Sequence, residues 1–175
     1  MKTYVALFRG INVGGNNLLP MKELQEILVK TGCKDVRTYL QSGNAVFAYD
    51  NTESNKLAET ISSNIYAVRG FKPNVFVLKA SALLDAVRNN PFSSGDTKTV
   101  HFYFLESVPE SPDMEKLYAL KTASEEFALA GPVFYLYTPE GFGRSKLASK
   151  VENGLGVAVT ARNLNTVSNL AAMVG

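Results

Sequence analysis

An α+β fold made of two tandem antiparallel units, with an extra helix at the C-terminus, is predicted by three observations. Short apolar runs of strand length alternate with longer segments of helical period. The order β-α-β-β-α begins twice along the 175 residues. Turn chemistry between neighbouring strand-like runs favours antiparallel hairpins over parallel crossovers.

Tyr4 to Arg9 is rich in aromatic and aliphatic residues and reads as the first strand. Gly10 to Leu19 reads as a loop. Pro20 suits a first helical turn, and Met21, Leu24, Ile27 and Leu28 then recur at helical spacing until Gly32 stops the helix. Val36 to Leu40 and Ala45 to Tyr49 are strand-like, and Ser42-Gly43-Asn44 between them tolerates the positive φ of a hairpin turn. A helix from about Glu53 to Val68 places Leu57, Ile61, Ile65 and Val68 on one face, and Asn74 to Leu78 is the next strand. The resulting order is the ferredoxin-like split unit, whose two helices cover one face of a four-stranded sheet. Its expected core is Val5, Leu7, Leu24, Ile27, Leu28, Val36, Phe47, Leu57, Ile61 and Ile65.

A linker helix from Ala80 to Asn89 and the Asn90-Pro91-Phe92 loop lead to a strand at Thr99 to Leu105, where the pattern restarts. A helix at about Asp113 to Ala123, strands at Glu126 to Ala130 and Val133 to Tyr137, a helix from about Lys146 to Leu155 and a weak strand at Val157 to Thr160 follow. The last helix spans about Leu164 to Met173. Residues 1–79 therefore form the first ferredoxin-like subdomain. Residues 80–175 form a second, degenerate one carrying the linker helix and the C-terminal helix.

Composition narrows the chemistry. At 46% apolar and 19% charged the chain is of ordinary globular type. One cysteine, Cys33, and one histidine, His101, cannot build a four-cysteine, a two-cysteine two-histidine or a multi-histidine zinc site, nor a two-histidine iron triad, and no metal is expected. Arg9 interrupts the N-terminal apolar run before a secretory or membrane-spanning segment is complete, and a cytoplasmic location with no membrane association is expected. Net charge is +2, without the basic excess of a duplex nucleic-acid binder. The charge is uneven, with +4 on residues 1–79 and −2 on the remainder. His101 in an apolar strand and Cys33 just after Gly32 read as packed side chains, and the adjacent Glu125 and Glu126 are poorly placed for shared acid-base work.

Four polar segments are candidates for ligand contact. Arg9-Gly10-Ile11-Asn12-Val13-Gly14-Gly15 joins a strand to a helix, where backbone N–H groups gather around anions, yet it matches neither a P-loop nor G-x-G-x-x-G. Gln41, Ser42 and Asn44 concentrate amide and hydroxyl groups at one turn. Arg144 and Lys146 flank Ser145, a candidate N-cap, and positive charge at a helix start is unfavourable unless an anion compensates it. Arg162 and Asn163 repeat this theme before the last helix, with Asn163 or Asn165 as its cap.

Arg9 to Gly15, Tyr39 to Asn44, Asn90-Pro91-Phe92, Gly143-Arg144-Ser145-Lys146 and Thr160 to Thr166 together resemble the bacterial domain-of-unknown-function family 1697, in order and across nearly the whole chain. The resemblance implies an α+β fold with ferredoxin-like subdomains and carries no established activity. Leu164 stands where many relatives place tryptophan, which weakens an aromatic stacking role for that helix start.

Three functions follow. The first is binding of a small anion (phosphate, nucleotide or carboxylate) in a cleft between the subdomains by Arg9, Asn12, Gly14, Gly15, Gln41, Ser42, Asn44, Arg144, Ser145, Lys146, Arg162 and Asn163; neither a cofactor nor a catalytic group is identified. Single-stranded nucleic-acid binding is less favoured, because Asn44 and Val46 stand where an RNA-recognition strand has its stacking rings. The third is a protein-interaction module, using Tyr135 and Tyr137 on a strand that would lie at a sheet edge.

Overall fold

The computed structural model describes residues 1–175. Contacts divide the chain into two compact units, Met1–Asp85 with Leu170–Gly175, and Ala86–Asn169.

The first unit contains β1 (Lys2–Arg9), α1 (Met21–Thr31), β2 (Lys34–Thr38), β3 (Asn44–Tyr49), α2 (Ser54–Arg69) and β4 (Asn74–Lys79), after which α3 (Ala80–Arg88) begins. Its strands lie in the order β2-β3-β1-β4, all antiparallel. Tyr4, Ala6 and Phe8 of β1 join Ala45, Phe47, Val75 and Val77 beneath Leu24, Ile27 and Leu28 of α1 and Leu57, Ile61 and Ile65 of α2. Val36 is half-buried against the same cluster.

Val5 and Leu7 are core residues, as expected, but they lie outside that cluster. They are fully buried, but on the opposite face, because Tyr4 pairs with Phe47 and successive strand residues alternate sides. A central strand apolar on both sides carries no period-two signal to say which set meets the helices. The hairpin turn also differs in detail. Its positive φ values fall on Leu40 (60°) and Gly43 (97°), while Asn44 is already the first residue of β3.

In the second unit β5 (Val100–Leu105), α4 (Met114–Leu120), β6 (Glu126–Ala130), β7 (Val133–Tyr137), α5 (Lys146–Leu155) and β8 (Val159–Asn163) repeat the topology, and α6 (Leu164–Val174) closes the chain. The antiparallel order β6-β7-β5-β8 is that of the first sheet. Asp113 caps α4 through Lys116 N, and the helix stops at Leu120, short of the expected Ala123, because Lys121 is extended. β8 begins two residues later than expected and runs to Asn163, which places Arg162 inside a strand. β7 is flanked by β5 and β6, so Tyr135 and Tyr137 are not on a sheet edge and the expected route to self-association through them is closed. The buried Tyr135 hydroxyl donates to Ala86 O at 2.7 Å.

Candidate functional site

In the first unit the chain leaves β1 at Arg9 and forms a small pinned hairpin in place of an irregular loop. Gly14 and Gly15 have φ of 58° and 76°, and Asn16 N donates to Val13 O at 2.9 Å, as expected for a type I′ turn. Ile11 and Leu19, fully buried, anchor the two arms. Between them Asn12, at φ 55°, accepts from Leu19 N at 2.7 Å and donates to Leu19 O at 2.9 Å and to Gln41 O at 2.8 Å. Asn12 thus ties the Arg9–Gly15 segment to the Gln41–Asn44 turn.

Gly43 makes that approach sterically feasible. A Cβ there would stand 2.7 Å from both Ile11 Cδ1 and Phe8 Cβ. Asn44 is fully buried and donates to Tyr39 O at 2.8 Å, holding the turn closed. The amides of Asn12 and Asn44 are therefore engaged within the fold, whereas Gly14, Gly15, Gln41 and Ser42 are exposed around them, with Arg9 at the strand end.

In the second unit a single 3-10 turn, Phe142–Arg144, precedes α5. Phe142 lies over His101 with ring centroids 3.7 Å apart and planes at 12°. His101 is buried, its Nδ1 has no hydrogen-bond partner, and burial pushes its pKa down to about 4. Ser145 is buried and caps α5 by accepting from Ala148 N at 3.0 Å. Arg144 and Lys146 on either side of it are exposed and form no ion pair, and the first turn of α5 has no acidic residue.

Asn163 caps α6 through Thr166 N at 2.9 Å, and it pairs in register with His101. The Asn163 side chain therefore points to the side of the sheet that carries His101 and Phe142. Arg162 pairs with Phe102 and so projects from the other side, where it donates to Thr160 Oγ1 at 2.8 Å and to Ala161 O at 2.9 Å. Burial lowers its pKa to about 10, which leaves it charged at neutral pH. The sheet thus separates Arg162 from the Phe142–Lys146 segment. The His101–Phe142 stack had no sequence signal, because 41 residues separate the two rings and neither stands in a recognised motif.

Glu125 is buried and accepts from Thr122 N at 3.0 Å, a turn-forming role. Cys33 is buried in the first core, and desolvation pushes its thiol up to about 12.

The model of the family described as "Protein of unknown function (DUF1697)" matches residues 1–135. The chain belongs to that family. The match covers the first three of the five segments that carry the resemblance, and the α5 and α6 starts lie beyond it. Among solved structures, this DUF1697 chain is similar to the conserved bacterial protein SP0830 from Streptococcus pneumoniae, with a TM-score of 0.70 and 23% identity over 99% of each chain. That likeness establishes a shared fold. No curated protein sequence matches the chain.

Proposed function

We propose that this DUF1697 protein binds a small anionic molecule, of the phosphate, nucleotide or carboxylate class, at the start of α5. One observation carries the reading: Arg144 and Lys146 are two exposed cations without an ion pair at a helix N-terminus with no acidic residue in its first turn. Helix N–H groups and the helix dipole already favour negative charge there, and adding two positive charges raises the energy of the empty site. A bound anion removes that conflict. Asn163 and the His101–Phe142 stack on the same side of the sheet supply neighbouring polar and flat surfaces. The exposed Gln41, Ser42 and glycine tip of the first unit offer a second polar surface for such ligands.

Burial argues against the nucleic-acid alternative. Val5, Leu7, Val46 and Phe76, on the sheet face opposite α1 and α2, are all at most 5% exposed, so bases find no open platform on which to stack.

Thermal unfolding with sodium pyrophosphate, compared with sodium chloride at matched ionic strength, tests the reading. A saturable rise is expected, approaching ~2.7 kcal/mol at a hundredfold excess over Kd. Arg144→Ala should abolish most of that rise without lowering the unliganded midpoint, which relief of the cation–dipole conflict raises slightly. Equal stabilisation of the variant and the parent would refute the α5 site.

A further inference from the structure

We propose a second site, in the unit Ala86–Asn169, that takes a small protonated amine. A cavity of about 170 Å³ is lined by Pro91, Phe92, Ser94, Gly95, Glu126 and Tyr137. At ~30 Å³ per water, that volume accommodates a ligand of a few heavy atoms.

Its walls have the chemistry of a cation site. Phe92 and Tyr137 stack with centroids 6.0 Å apart and planes at 27°, forming an extended aromatic surface whose faces attract positive charge. Glu126 stands directly opposite Tyr137 in the β6–β7 pairing, so its carboxylate shares a sheet face with that ring. Glu126 forms no ion pair, and no lysine or arginine lines the cavity. Neither the Tyr137 hydroxyl nor the Ser94 hydroxyl is engaged in a hydrogen bond, which leaves two further acceptors beside the carboxylate for the three N–H donors of an ammonium group.

The wall is built before any ligand arrives. Asn90 Oδ1 accepts from Phe92 N at 2.9 Å, and Gly95 N donates to Phe92 O at 3.0 Å, closing the Phe92–Gly95 turn. Gly95 is seated so closely that a Cβ would lie 2.7 Å from Val100 Cγ2 and 3.4 Å from Tyr137 Cε1. The loop thereby holds Phe92 against Tyr137 without drawing on ligand binding for order. This site is independent of the anion site, since the two attract opposite charges through different residues.

The test is an amide chemical-shift titration of the full chain at pH 7 with butylammonium chloride, using 1-butanol as the neutral isostere and sodium chloride as the salt control. Saturable shifts centred on residues 92–95, 126 and 137 are expected with butylammonium alone. Glu126→Gln should weaken that binding roughly fivefold, the size of one partly exposed charge contact, with an unchanged unfolding midpoint. Equal binding of 1-butanol would show an apolar pocket and overturn the proposal. So would non-saturable shifts, or a Glu126→Gln variant that binds as tightly as the parent.

Discussion

His101 and Cys33 are both held in their neutral forms by burial, and each gives a measurable signature. The folded His101 resists protonation down to about pH 4, whereas an unfolded histidine takes up its proton near 6.5. Its contribution is therefore complete above pH 6.5 and is lost progressively as pH falls through the window towards 4, because there the unfolded chain binds the extra proton. A shift of that size is worth at most on the order of 3 kcal/mol. Since the chain has a single histidine, His101→Phe should flatten the fall in the urea midpoint between pH 6.5 and 5. An undiminished fall would assign the effect to other groups. The Cys33 thiol, pushed up to about 12 and buried, should react with a thiol reagent only at the rate of unfolding. Stoichiometric reaction of the native protein within seconds would contradict its placement. Both residues were readable in the sequence as packed side chains, from an apolar strand and a helix end. The partner ring of His101 was not.

Among the elements, α1 follows its sequence pattern most closely. Leu24, Ile27 and Leu28 repeat at helical spacing and are buried as a set, and Gly32 ends the helix at φ 109°. Leu28→Ala should cost ~2–5 kcal/mol, while Val29→Ala one position away, where the side chain is 59% exposed, should stay within about half a kcal/mol. Similar losses for the two would mean that the helix is rotated about its axis. The β1–α1 connection was legible only as rich in glycine. That it is a pinned hairpin depends on the Asn12 bond to Gln41, 29 residues away, and on the bare Cα of Gly43. Gly43→Ala should therefore cost roughly 1–3 kcal/mol or more, from overpacking against Ile11 and Phe8 together with a positive φ. A neutral effect on chemical denaturation would show that the two segments do not need their close approach.

For the molecule as a whole, two sheets share one strand order although their sequences show no evident identity, which places the repeat at the level of topology. The C-terminal segment Leu170–Gly175 belongs to the first unit, where Leu170 is fully buried and Arg37 donates to Met173 O at 2.7 Å. Deleting residues 170–175 should therefore destabilise that unit by ~2–5 kcal/mol, the cost of removing a buried leucine, and accelerate amide exchange within Met1–Asp85. Unaltered exchange there would show that the tail contributes nothing to it.

The order of elements, the buried face of α1 and the cap at Ser145 were determined by the sequence alone, because each depends on residues within a few positions of one another; the structure chose Asn163 over Asn165 as the α6 cap and left Val68, expected on the buried face of α2, 54% exposed. Tertiary structure decided the rest. It chose which face of β1 meets the helices, since a strand buried on both sides has no polar face to orient it. It enclosed β7 between two neighbours and carried β8 far enough to turn Arg162 away from Arg144. It also set Glu126 opposite Tyr137 beside Phe92, a grouping made by strand pairing and a closed loop between positions up to 45 residues apart. Such groupings are long-range, and local spacing holds no record of which side chains the packed core will bring together.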